Sequence, residues 1–198
     1  EFAVSEVEFL GHNLSSSGCK PLVKHTAIIG EFPVPSDKPA LQRFLGMISF
    51  YRKFIKNAAL ILAPLTDALK GPGKRIVWTP GMDAAFHQAK RLLSAVPTLA
   101  HPAPGSDISV AVDASESHVG AVFQQQVGKD WVPLSFYSRK LNEAEKKYSA
   151  FDRELLAAYS AVRHFRFMLE GRDFTIFTDH KPLTFAISRT SPSWSARQ

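Results

Sequence analysis

A single cysteine in 198 residues, Cys19, leaves no partner for an internal disulfide and no thiolate set for a zinc site. Such usage suits a reducing, intracellular compartment. No uninterrupted apolar run approaches the ~20 residues that a helix needs to span a bilayer. The opening stretch EFAVSEVEFLGH has no basic region followed by a long apolar segment, so no secretory signal is expected. It also lacks an initiator Met, which points to an excised fragment. Acidic residues are the scarcer charge: 24 Lys and Arg stand against 18 Asp and Glu, a formal net charge of +6. That excess favours polyanionic partners, nucleic acid first among them. An apolar fraction of 45% with 21% charged residues is ordinary for a folded protein, and the length allows one large domain or two small ones.

The patterning divides the chain in two. Residues 1–19 predict a short hairpin turning through Ser15, Ser16, Ser17 and Gly18. Pro33, Pro35 and Pro39 mark a boundary, after which Ser36 or Asp37 can cap a helix. Leu41, Phe44, Leu45 and Ile48 recur at helical spacing, and Tyr51, Phe54 and Ile55 continue it, with a bend expected near Gly46. APLTDALKG predicts a short helix, and PGMDAAFHQAKRLLSAVP a longer one with Phe86, Ala89, Leu92 and Leu93 inward. Beyond Ser106 the period changes to two. ISVAVDA, HVGAVFQQQ and WVPLSFYSRKL predict an antiparallel meander. A long helix follows, with Asn142 and Glu145 as a capping box and an inward stripe of Tyr148, Phe151, Leu155, Tyr159, Val162 and Phe165. FTIFTDH is a fourth strand, which returns parallel because a helix precedes it. The expected class is α/β: a small helical module, then a mixed sheet of three antiparallel strands, a helix and a parallel fourth strand.

Two predicted strands end on carboxylates, Asp113 in ISVAVDA and Asp179 in FTIFTDH. Ligands gather beyond the carboxyl ends of strands in open α/β sheets. At ~100° per residue, Glu154 lies about 90° from the centre of the helix's apolar stripe, bordering the buried face. Taken singly, Asp113 can cap a turn, Glu154 can be a solvated helix residue and Asp179 can cap the helix beginning at Pro182. Taken together, three converging carboxylates call for a cation to offset their repulsion. Oxygen ligands select Mg²⁺ or Mn²⁺, and paired ions of that kind suit phosphodiester hydrolysis. His118 reads as a strand-edge residue, and Trp78 and Trp131 as packing anchors.

The same residues carry a family likeness. VEFLGHNLSSSG, LQRFLGMISFYRKFI, APLTDALK and AFHQAKRLL resemble the end of the palm, the thumb and the following linker of gypsy-type LTR retrotransposon reverse transcriptases. VAVDASESHVGAVFQQ, PLSFYSRKLNEAEKKYSAFDRELLAAY and FTDHKPL resemble the ribonuclease H domain of that family. The resemblance implies a palm hairpin over 1–20, a thumb-like module over 21–77, a linker helix over 78–104 and an RNase H-like domain over 105–198, incomplete at its C-terminus. It implies Mg²⁺- or Mn²⁺-dependent hydrolysis of RNA in RNA–DNA hybrids, with Asp113, Glu154 and Asp179 on the first three catalytic acids. The fourth acid would lie beyond Gln198. No Asp-Asp pair occurs, so the polymerase centre is expected to be absent from this chain. Likeness to a thumb suggests that Tyr51, Arg52, Lys53 and Lys56 track a nucleic-acid backbone, and His180 and Lys181 can touch phosphate. The implied partners are a hybrid duplex and the rest of a Pol polyprotein, with no membrane, in a cytoplasmic particle or the nucleus. The alternative is a catalytically weak or inactive nucleic-acid-binding remnant.

Overall fold

In this computed structural model, which describes residues 4–187, the chain separates into two units, Glu1–His101 and Pro102–Gln198. The first begins with three antiparallel strands, β1 (Glu6–Phe9), β2 (His12–Ser15) and β3 (Gly18–Pro21), in that order. The expected hairpin therefore contains one strand more than the sequence pattern predicts. VEFLGH does not run straight through, because Leu10 and Gly11 turn the chain with φ of 45° and 79°. Positive φ at both positions matches the natural twist of a two-residue hairpin. β3 is tied to Leu99 by a reciprocal pair of bonds: Cys19 N–H donates to the Leu99 carbonyl at 2.8 Å, and Leu99 N–H to the Cys19 carbonyl at 2.9 Å. Gly18 permits that approach, since a Cβ there would lie 2.3 Å from the Leu99 oxygen and its φ is +135°.

Five helices complete this unit: α1 (Val23–Gly30), α2 (Lys38–Phe50), α3 (Ala58–Ile61), α4 (Ala63–Asp67) and α5 (Pro80–Ser94). Asp37 caps α2 by accepting from Ala40 N–H at 2.8 Å, and Thr79 caps α5 by accepting from Met82 N–H at 3.3 Å. Leu41, Phe44, Ile48, Phe54, Leu65, Phe86 and Leu93 form the core. α2 runs on through Gly46 to Phe50 and is capped at Tyr51, beyond which one 3-10 turn covers Arg52–Phe54. The Tyr51 hydroxyl donates to the Gly11 carbonyl at 3.1 Å and lies 3.0 Å from His25 Nδ1, pinning the helix end to the first turn. His12 sits among the rings of Phe50, Tyr51 and Phe54, with centroids 5.2–5.8 Å away. Its Nδ1 donates to the Leu10 carbonyl at 2.8 Å. Its Nε2 is buried without a hydrogen-bond partner among the described residues. Burial, then the nearby Lys53 charge, hold this imidazole below the usual histidine pKa.

The second unit contains β4 (Ile108–Ala114), β5 (His118–Val127), β6 (Asp130–Lys140), α6 (Ala150–His164), α7 (Arg166–Leu169), β7 (Thr175–Phe177) and α8 (Lys181–Ile187). Its sheet order is β6-β5-β4-β7; the first three strands run antiparallel and β7 pairs parallel to β4, as the alternation predicts. β6 is an edge strand, carries Pro133 and pairs with β5 through a register shift at Phe123/Gln124. Val110 and Phe123 are partners in register and share a face. On that face Phe123 stacks on Phe165 at the end of α6, 5.4 Å between centroids.

Two features of α6 differ from the sequence pattern. The Asn142–Glu145 box forms, with Asn142 Oδ1 accepting from Glu145 N–H at 2.8 Å and Glu145 Oε2 accepting from Asn142 N–H at 2.9 Å. It caps only the 3-10 turn Glu145–Lys147, because Tyr148 then adopts an extended backbone. α6 starts afresh, with Ser149 Oγ accepting from Asp152 N–H at 3.1 Å. Within the helix the buried residues are Glu154, Ala157, Ala158 and Ala161; of the expected stripe Phe165 is buried at the helix end, whereas Tyr159 is 60% exposed. Alanines let the helix backbone approach the sheet, and the larger side chains are displaced to its flanks.

Two outcomes follow from the first unit. Gly18→Ala should lower its unfolding free energy in urea by at least about 2 kcal/mol, through strain at positive φ and the clash with Leu99. His12 titrates below its unfolded value, so the neutral ring favours the fold. The stability it contributes is present above about pH 6.5 and is lost as pH falls toward the folded pKa. His12→Asn, which can keep the bond to Leu10, should weaken the fall in stability between about pH 7.5 and 5.5; an unchanged slope would remove His12 as its source.

Candidate active site

Parallel pairing of β4 and β7 brings the carboxyl ends of both strands to one end of the sheet. Asp113 is the penultimate residue of β4, and Asp179 follows β7 by two residues; both are exposed. Glu154 enters from α6 and is only 5% exposed. Its Oε1 accepts from the Ala114 N–H at 3.0 Å, and its Oε2 from the Thr178 hydroxyl at 3.3 Å. The residue after Asp113 and the residue before Asp179 thus hold one carboxylate between them. Burial raises the Glu154 pKa above the ordinary value, the Asp179 and Asp113 charges raise it further, and the two hydrogen bonds partly offset the shift. The rise reflects desolvation first and carboxylate repulsion second.

The three carboxylates are therefore electrostatically coupled at one end of the sheet. Among the described residues, no three His, Cys, Asp or Glu side chains form a group that could hold a metal ion in the arrangement observed. Both Glu154 oxygens are engaged by the protein, while Asp113 and Asp179 are exposed to solvent. Thr178 and the Ala114 amide were not legible as parts of this site. The usable signal was a hydroxyl residue directly before a strand-end Asp, a residue type that satisfies buried carboxylates.

The six residues expected to contact nucleic acid fall into two groups. In the first unit, Tyr51 is 3% exposed and its hydroxyl bonds within the protein, so it is a packing residue and not a backbone contact. Its neighbours keep accessible charge: Lys56 is exposed, and Lys53 Nζ lies 5.1 Å above the Phe54 ring. Arg52 is half-buried at the start of the same 3-10 turn as Lys53. In the second unit, His180 packs edge-on against Phe151 at 5.8 Å, and Lys181 is exposed at the start of α8. His118 is buried at the start of β5, with its N–H donating to Ser115 Oγ at 2.9 Å. Trp78 meets Phe86 edge-on at 5.9 Å and Trp131 meets Phe177 at 5.5 Å, as packing anchors do.

Residues 78–176 match the family described as the RNase H-like domain found in reverse transcriptase. The chain belongs to that family. Relatives of this reverse-transcriptase RNase H-like chain include the retrovirus-related Pol polyprotein from transposon 412 of Drosophila melanogaster. It is 34% identical over 192 residues, covering 97% of this chain and 15% of that protein. The transposon Tf2-3 polyprotein of Schizosaccharomyces pombe is 34% identical over 194 residues, 96% of this chain and 14% of its own length. The chain thus spans about a seventh of the length of these relatives. Among solved structures, a foamy viral protease–reverse transcriptase in complex with dsDNA superposes with a TM-score of 0.82 at 20% identity, covering 98% of this chain and 40% of that one. The same enzyme in complex with RNA/DNA hybrid gives 0.80 at 20% identity, over 98% and 27%. At that identity the likeness is one of fold, and the mixed sheet with its packed helices is RNase H-like.

Glu154→Gln tests the electrostatics of this RNase H-like site directly. A carboxyl with a raised folded pKa contributes stability below about pH 4.5, which is lost as pH rises through the folded value. In metal-free buffer near neutral pH the variant should melt higher than the parent and show a flatter pH dependence. An equal or lower midpoint would mean that the buried charge is not opposed.

Proposed function

We propose that this chain carries the nuclease module of a gypsy-type retrotransposon Pol polyprotein and hydrolyses the RNA strand of RNA–DNA hybrids. The observation that carries the reading is the suspension of Glu154 between the residues flanking Asp113 and Asp179. Repulsion among the three gives an apo site that a cation would relieve. The donor set fits Mg²⁺ or Mn²⁺: it offers carboxylate and hydroxyl oxygens. Asp113 and Asp179 would hold the ion with their solvent-facing carboxylates, and Glu154 would join by exchanging its longer contact, the one to Thr178. A divalent ion bound there supplies Lewis acidity and an activated water. The protein's own part is to fix β4, β7 and α6, so that the carboxylates stay put while the substrate arrives. A basic chain of net charge +6 favours the polyanionic duplex. The solved relatives are described with dsDNA and with RNA/DNA hybrid, which supports the same partner. Such a module works within the larger polyprotein, in a cytoplasmic particle or the nucleus.

A second reading, a nucleic-acid-binding remnant without activity, is favoured by the lack of a ready metal-holding group among the described residues. One experiment separates the two. A labelled RNA–DNA hybrid is incubated with the chain across a Mg²⁺ series, while the melting midpoint is followed for the parent and Asp113→Asn. The nuclease reading expects cleavage that requires millimolar Mg²⁺, and a midpoint that rises with Mg²⁺ in the parent. Asp113→Asn should cut no hybrid, melt at least as high without metal and gain much less from Mg²⁺. Equal Mg²⁺ shifts in both proteins would end the metal-site reading, and binding without cleavage would leave the remnant.

A further inference from the structure

On the far flank of α6, between that helix and β6, lies a cleft of about 600 Å³. Its wall is a fixed ion pair. Arg139 donates to both oxygens of Glu145, at 2.7 and 3.0 Å, and to Ser160 Oγ at 3.3 Å. Glu145 also accepts from the Asn142 N–H. These two charges cancel inside the wall, and bidentate pairing holds the guanidinium in one plane. The floor is aromatic: the His164 ring lies on Tyr137, 4.3 Å between centroids and 28° from parallel.

Two side chains remain on offer. Arg163 lines the cleft, is exposed and makes no ion pair among the described residues. Tyr159 lines it too and is 60% exposed. Four residues apart on one helix, they stand side by side with about 5–6 Å between their Cβ atoms. A cation next to an open aromatic face, above a second stacked pair of rings, matches a ligand with an anion at one end and a flat ring at the other. An inorganic anion would leave the tyrosine face unused, and a purely apolar ligand would leave Arg163 unpaired.

We infer that this cleft binds a nucleotide unit, with its phosphate on Arg163 and its base against Tyr159 and the His164–Tyr137 floor. The shared chemistry is a phosphate joined to a purine, free or within a nucleic-acid strand. Arg163 is nine residues from Glu154, about 900° around the helix and hence on its opposite side. The site is separate from the three carboxylates and does not depend on their activity.

The test uses the whole chain in EDTA, so that the carboxylate site holds no metal. Adenosine 5′-monophosphate is titrated while the ring-proton shifts of Tyr159 and His164 are followed by NMR. Saturable shifts of both rings are expected. Arg163→Ala should weaken binding about tenfold, the loss of one charge-assisted contact. Tyr159→Ala should weaken it about fivefold or more through lost stacking. Both positions are exposed, so unchanged melting midpoints will show that the variants fold. A short oligodeoxyadenylate in competition identifies the source: displacement at lower concentration than the mononucleotide marks a strand site, and weaker displacement marks a free-nucleotide site. The inference is overturned if neither ring shifts, if both variants bind as the parent does, or if inorganic phosphate binds as tightly as the mononucleotide.

Discussion

The second unit depends on one buried carboxylate. Glu154 is suspended between the Ala114 amide and the Thr178 hydroxyl, so a single side chain ties α6 to the ends of two parallel strands. An ionised group in that position must find hydrogen bonds or shift its pKa, and Glu154 does both. The arrangement requires the helix to lie close to the sheet, which the run Ala157, Ala158, Ala161 permits. It also requires β7 to run parallel to β4, since only then do Ala114 and Thr178 lie at the same end. Packing, topology and site chemistry are three aspects of one geometric condition.

Much of this was readable in the chain. Short β-prone runs separated by polar turns, with a period of two clearest in ISVAVDA, gave the meander. Asp113 and Asp179 were legible as strand-end carboxylates by the same reasoning. The phase of α6 was legible only at Phe165, because alanines such as Ala157, Ala158 and Ala161 carry little sequence signal of burial. Tyr159 and Leu155 are large but peripheral, and the small residues mark where the sheet presses closest. The Asn142–Glu145 box was a true local signal attached to the wrong element: reciprocal capping says that a turn begins, not how long it continues. Tyr51 carries a similar lesson, for a ring beside Arg52 and Lys53 suggests a surface contact, yet its hydroxyl is needed by Gly11 and His25 inside the unit.

The two units solve the problem of buried polar groups differently. In the first, His12 is held neutral among aromatic rings, and its unpartnered Nε2 tolerates burial only in that state. In the second, the Arg139–Glu145 pair is satisfied from several sides, and its partner lowers the Glu145 pKa below the ordinary value. Glu154 has its charge opposed both by burial and by two neighbouring carboxylates. A carboxylate whose pKa is raised by burial and by like charges is the kind of group that functional sites commonly hold.

The sheet's two borders have a consequence for how copies of the chain behave toward one another. An open sheet invites a further strand from another molecule wherever its outer backbone groups are free and flat. β7, with three residues, is too short to recruit one securely. β6 is long, but Pro133 has no N–H to donate and the register shift at Phe123/Gln124 disturbs the ladder behind it. Its far end closes on Arg139, whose guanidinium is already held by Glu145. These features make both borders of the four-stranded sheet poor templates for an added strand.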